Sequence, residues 1–116
     1  MNFEYETIEE TLLNIKLKGR MDLQGNQAIE LELTSVAASE KSGVIVDMSG
    51  VEFLASMGIK TLITMTKAQL SHGGEVVLCS IQPLVKEILT TTGIDTIIKN
   101  FDTCDEAIKY LKNKGL

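Results

Sequence analysis

Ser56 stands in the middle of DMSGVEFLASMGIK, residues 47–60, where an apolar run gives way to a new apolar-periodic segment. A hydroxyl at such a junction has two kinds of chemistry open to it. As a helix N-cap it satisfies a backbone N–H and contributes on the order of 1 kcal/mol. As a phosphoryl acceptor it gains about -1.5 to -2 charge and three strong acceptors, which a helix N-terminus tolerates because its first N–H groups lack intrahelical partners. Such a modification changes the sign of the local surface without unfolding the chain. Gly58, two positions on, fits both: a side chain there would crowd a partner approaching the helix end, and glycine also suits a tight loop.

Other chemistry finds less support. His72 is the only histidine, and its place in SHGG assigns it to a helix C-terminus or a solvated turn. Asp22 and Asp47 each have a structural role, as helix cap and strand end, in preference to a catalytic carboxylate pair. No G-x-G-x-x-G, Walker A loop, paired metal-ligand spacing or Ser/His/Asp set is present, so the chain reads as a binding protein and not an enzyme, with no cofactor. Cys79 and Cys104 lie 25 positions apart without a C-x-x-C, which favours buried small hydrophobes over a metal or redox role.

The elements that must position Ser56 follow from periodicity. LNIKLK alternates, with Leu13, Ile15 and Leu17 on one face and Asn14, Lys16 and Lys18 on the other, as in a half-buried strand. NFEYET puts Phe3, Tyr5 and Thr7 together, and IEET supplies a turn, so the chain opens with an antiparallel hairpin. Asp22 caps a helix running to about Ala38, with Ile29, Leu33, Val36 and Ala37 inward. SEKSG stops it. VIVDM is a central strand covered on both faces, and DMSGVEFLASMG is the loop at its carboxyl end. A helix from Met57 to about Ser71 carries the stripe Ile59, Leu62, Ile63, Thr66 and Leu70, and EVVLCS is another buried strand. Pro83 opens a helix with Leu84, Val85, Ile88 and Leu89 inside and Gly93 as its stop. TIIKNF is a short edge strand. Thr103 and Glu106 have capping-box spacing at the head of a last helix lined by Ala107, Ile108 and Leu111. This order predicts a single α/β domain over 1–116 with a mixed, mostly parallel sheet and helices as crossovers. Strand order is left open.

Composition narrows the setting. A chain of 116 residues can bury roughly two-thirds of its unfolded surface. With 4% aromatics and no tryptophan, its core must be aliphatic. A net charge of -5 and the lack of a basic stretch argue against nucleic acid as a partner. No apolar run reaches the roughly eighteen residues that span a bilayer, and the acidic MNFEYETIEE is unlike a signal peptide, so a cytoplasmic protein without membrane insertion is expected.

VIVDMSGVEFLASMGIKTL resembles the signature of STAS domains, and specifically that of bacterial anti-sigma factor antagonists. Asp47 and Ser49 match the strand end, Phe53 and Leu54 the apolar pair, Ser56 the phosphoacceptor and Gly58 the glycine. LKGRMD, GGEVVLCSIQPLVKEILTTTGID and DTCDEAIKYL are similar to further family segments in the same order, so the resemblance covers nearly the whole chain. It implies that the unphosphorylated protein binds an anti-sigma factor, a serine kinase of the histidine-kinase-like ATPase type, and frees a sigma factor. Phosphorylation of Ser56 then ends binding, and a phosphatase acting on phosphoserine resets the cycle.

Two positions depart from the family pattern. Ala55 stands where aspartate is frequent, which removes one negative charge, and Met57 stands where serine or threonine is frequent and reads as a core residue in preference to a partner contact. Arg20, Asp22 and Glu52 are expected to border the partner surface, since loops at one end of a sheet converge. STAS folds also serve as non-switching scaffolds of sensory assemblies and as parts of anion or lipid transport systems. In that alternative Ser56 is a cap or contact and is never phosphorylated.

Overall fold

Alternation and β-branching translate into strands wherever the sequence carries them. The computed structural model describes residues 1–37 and 42–115. β1 (Asn2–Ile8) and β2 (Leu12–Met21) form the expected hairpin, turning through Glu9 and Glu10. β3 (Gly43–Leu54), β4 (Glu75–Cys79) and the two-residue β5 (Asn100–Phe101) complete one sheet in the order β1-β2-β3-β4-β5. Among the described residues, only the β1–β2 pairing is antiparallel. Each parallel neighbour requires a crossover, and α1 (Leu23–Ala37), α2 (Ser56–Leu70) and α3 (Pro83–Thr91) supply them, followed by α4 (Cys104–Asn113). None of the described helices is long and apolar enough to cross a membrane.

The strand period of two divides the core. Leu13, Ile15 and Leu17, with Val44, Val46 and Met48 and with Val76 and Leu78, point into a large aliphatic cluster closed by α1, α2 and α3. Leu12, Ile45, Val77 and Cys79 point the other way into a smaller cluster under Ala107 and Leu111 of α4. Helix caps are partly as expected. The Asp22 carboxylate accepts from the Gly25 N–H at 2.9 Å, Pro83 is the first residue of α3, and the Thr103 hydroxyl accepts from the Glu106 N–H at 3.2 Å. The expected stop at residues 39–43 falls largely outside the described residues.

Several expectations need correction. The stretch expected to be a loop after VIVDM is strand as far as Leu54, because the end of β2 runs beside it, with Lys18 opposite Gly50, Arg20 opposite Phe53 and Met21 opposite Leu54, across two register shifts. Asp47 therefore lies within β3 and not at its end. On α2 the buried face is Gly58, Thr61, Leu62, Met65, Thr66 and Gln69, while Leu70 is exposed. Gln69 goes inside because its amide donates to the Ala37 carbonyl at the end of α1. Leu84, expected inside α3, is exposed. Cys79 is buried as expected, but Cys104 is only half-buried and the two form a disulfide, so neither is simply a small hydrophobe.

Candidate functional site

Continuation of β3 beyond β4 carries Phe53 and Leu54 alongside the end of β2, and the chain then turns sharply into α2. The Ala55 N–H donates to the Met21 carbonyl at 3.0 Å, which fixes the turn to the neighbouring strand. Ala55, in extended backbone, is the N-cap of α2, and the first helical bond runs from the Ile59 N–H to the Ala55 carbonyl. Ser56 is therefore the first helical residue and not the cap, correcting the first of the two roles considered for it. A methyl side chain at the cap accepts nothing, so the N–H groups of the first turn are left for solvent or a ligand.

Ser56 itself is exposed, and its hydroxyl makes no hydrogen bond to another described residue. No acidic side chain lies in the first turn of α2. Lys60, also exposed, is four residues on, the spacing at which helical side chains share a face. A negative group on the Ser56 oxygen would meet the positive end of a 15-residue helix and a lysine one turn away. Lys60 was not singled out from the sequence, although the i, i+4 spacing from Ser56 is legible there.

Gly58 is buried, and packing within its own fold is enough to require glycine there. A Cβ at this position would lie 2.6 Å from Met21 Cγ and 2.7 Å from Leu54 Cδ1, so glycine lets the first turn of α2 settle onto the ends of β2 and β3. A partner's approach has no part in that constraint. Met57 is half-buried but is not among the residues packed against the large cluster, which removes the expected core assignment. The hydroxyl of Thr61 donates to buried Asn26 Oδ1 at 2.7 Å and thereby sets α2 against α1.

Arg20, Asp22 and Phe53 do come together near this end. The Arg20 guanidinium lies 4.6 Å from the centre of the Phe53 ring, and its Nε is 3.5 Å from an Asp22 carboxylate oxygen. The Gly25 N–H, with Arg20 beside it, holds the Asp22 carboxyl below its ordinary value of 3.8. Glu52 is exposed on β3. Asp47 and Ser49 lie further back along the strand. The Ser49 N–H donates to Asp47 Oδ1 at 2.9 Å and Gln82 Nε2 donates to the Ser49 carbonyl at 2.7 Å, tying β3 to the start of α3. Of the residues matched to the motif, Phe53, Leu54 and Gly58 adjoin Ser56, together with the two departing positions Ala55 and Met57, whereas Asp47 and Ser49 belong to a different neighbourhood.

That second neighbourhood was missed. In register, Glu4, Lys16, Asp47 and Cys79 are successive cross-strand neighbours, and the Cys79 and Cys104 sulfurs and an Asp47 carboxylate oxygen all lie within 4.8 Å of one another. No local signal announces it, since its three members come from β3, β4 and α4.

Comparison with known proteins bears on the whole arrangement. The STAS domain family profile matches residues 2–107. BtrV of Bordetella bronchiseptica, provisionally named an anti-sigma factor antagonist, is 25% identical over 81 residues, 70% of each chain. The crystal structure of an anti-sigma factor antagonist from Mycobacterium paratuberculosis superposes with a TM-score of 0.85 at 22% identity, covering 96% of this chain and 93% of that one. The Bacillus cell fate determinant SpoIIAA in its phosphorylated form superposes with a TM-score of 0.69 at 19% identity, covering 94% and 98%.

Proposed function

This chain belongs to the STAS domain family, and from that premise we propose that it is an anti-sigma factor antagonist controlled by phosphorylation of Ser56. The unphosphorylated protein binds a cognate anti-sigma factor of the serine-kinase type in the cytoplasm, and that kinase transfers the γ-phosphoryl group of ATP to the Ser56 hydroxyl. The antagonists among its relatives and structural neighbours support the first part of this reading. A structural neighbour described in a phosphorylated form supports the second.

The observation that carries the switch is the freedom of Ser56. Its hydroxyl is exposed, holds no hydrogen bond to another described residue, and sits on the first residue of α2 behind a cap that offers no side-chain acceptor. Esterifying it breaks no contact of the fold. The added charge is accommodated by the helix start and Lys60, so the domain stays folded while its surface changes sign. Around it, Met57, Phe53 and Arg20 offer the partner an apolar and cationic border, and Glu52 and Asp22 an acidic one. Asp47 and Ser49, tied into β3, support the strand and stand apart from that border. A phosphatase reverses the modification; the chain itself performs no catalysis.

Intact-mass and fragment spectrometry after incubation with ATP and each candidate anti-sigma kinase tests the reading. One phosphate on Ser56, made by one kinase and absent from Ser56→Ala, is the expected result, with Ser56→Glu losing at least tenfold in affinity for that kinase, about 1.4 kcal/mol. A stable complex with a kinase that never phosphorylates the chain would replace the switch with a non-switching interaction domain.

A further inference from the structure

We propose that Cys79 and Cys104 form a reversible thiol–disulfide site, oxidised by low-molecular-weight disulfides at Cys104 and completed by Cys79, with Asp47 as the neighbouring proton acceptor. Neither the family match nor the Ser56 switch requires this site, and the inference stands independently of both.

The two cysteines differ in the way an attacking and a resolving thiol must differ. Cys104 is half-buried and is the first residue of α4, where the unpaired N–H groups of the helix start favour a thiolate. Cys79 is fully buried among Ile45, Val77, Ala107 and Leu111, out of reach of an external reagent. Their Cα atoms are 5.3 Å apart, so once Cys104 is modified Cys79 is its nearest thiol. Asp47, next to Cys79 in the sheet register and half-buried, has its carboxylate within 4.8 Å of both sulfurs.

The helix does not depend on the bond. Ala107 and Leu111 bury its inner face, Thr103 caps it, and Tyr110 donates to the Glu75 carboxylate at 2.8 Å. The Lys112 ammonium reaches Glu9. Reduction therefore opens the disulfide without releasing α4, which separates this pair from a staple that the fold needs.

The exchange balances in two steps. The Cys104 thiolate attacks one sulfur of an external disulfide RSSR; that S–S bond breaks, and one RS⁻ leaves to take a proton. The sulfur of Cys79, its proton passed to Asp47, then attacks the Cys104 sulfur of the mixed disulfide and expels the second RS⁻, which recovers the proton. The sum is RSSR plus two protein thiols giving one protein disulfide and two RSH. Excess thiol drives it backwards.

Oxidised glutathione is the probe for the full-length protein, reduced and freed of reductant, followed by non-reducing intact-mass spectrometry. Wild type should end lighter by two hydrogens with no lasting adduct. Cys79→Ser should end as a stable glutathione adduct on Cys104, and Cys104→Ser should remain unmodified. In the reduced wild type, iodoacetamide should label Cys104 at least roughly tenfold faster than Cys79. Asp47→Asn should slow the decay of the wild-type adduct without changing its final mass. Circular dichroism of every species identifies a variant that has lost its fold, in which case Cys79→Ala replaces Cys79→Ser. A wild-type protein that keeps both thiols, keeps the adduct, or binds one Zn²⁺ in place of oxidising would overturn the proposal.

Discussion

The two faces of the sheet are held by different physics. Beneath α1, α2 and α3 lies a continuous aliphatic cluster, and the contacts that fix α2 there are packing and a few buried hydrogen bonds such as Thr61 to Asn26. Beneath α4 the cluster is small, and the helix is secured in addition by a cap, a disulfide and side-chain pairs to Glu75 and Glu9. Ser56 stands over the first face and Cys104 over the second. On the packed face, the phosphorylation proposed for Ser56 would break no hydrogen bond to another described residue. On the sparse face, the groups that change are themselves among the fastenings, yet enough others remain.

Truncation of one core leucine on each face gives the largest effects and the plainest contrast. Leu62 is fully buried in the large cluster, where surrounding side chains cannot all relax, and Leu62→Ala should cost about 3–5 kcal/mol. Leu111 is equally buried, but its small cluster lies under one short helix that can settle inward, so Leu111→Ala should cost about 2 kcal/mol. Urea unfolding of both variants under reducing conditions checks the pair. Equal losses would mean that α4 is packed as tightly as α2 and that the two faces do not differ in this way.

Gly58 tests the same contrast from the side of excess volume. Because the added carbon of Gly58→Ala would press on Met21 and Leu54 at 2.6 and 2.7 Å, with the Met21 carbonyl also at 3.0 Å, the cost should be about 1–3 kcal/mol despite alanine's better helix propensity. Yielding at the Met21 side chain would bring it to the low end. Thermal denaturation beside wild type measures it. A stabilised Gly58→Ala would show that the first turn of α2 can shift, and that Ser56 is less firmly placed than its neighbours imply.

The same division explains what could be read from the sequence. Where one strand or helix determines its own burial, periodicity was sufficient: Leu13, Ile15 and Leu17 are inside, as are Ile29 and Leu33 of α1 and Ala107 and Leu111 of α4. It failed where a neighbour decides. Residues 49–54 look like loop because Ser49 and Gly50 interrupt the apolar run, and only their pairing with the end of β2 makes them strand. Leu70 and Leu84 have core composition and solvent positions, while polar Gln69 goes inside to reach Ala37. The strand-to-helix junction at Ser56 was legible because it depends on one contiguous stretch, although the place of Ser56 relative to the cap was off by one residue. The Cys79, Cys104 and Asp47 group was not, since it exists only once β3, β4 and α4 are in register.

Asp22 gives the smallest effect and the finest test of which physics rules near Ser56. Its carboxyl is held below 3.8 first by the Gly25 N–H and then by the guanidinium of Arg20. A depressed folded-state value means that the charged form is favoured by folding, so the contribution is fully present above pH 3.8 and is lost as pH falls through the lower folded value. Asp22→Asn should therefore differ from wild type most at neutral pH, with the gap closing in acid, as urea unfolding at a series of pH values would record. Proton-detected carboxyl titration of Arg20→Ala separates the causes: the Asp22 midpoint should rise only part of the way and stay below 3.8, because a backbone donor supplied by α1 does most of the holding. A return to 3.8 in that variant would make the exposed ion pair the dominant fastening. The Ser56 face would then owe its local order, as α4 does, to pairs of surface side chains, and salt should weaken it in the same way.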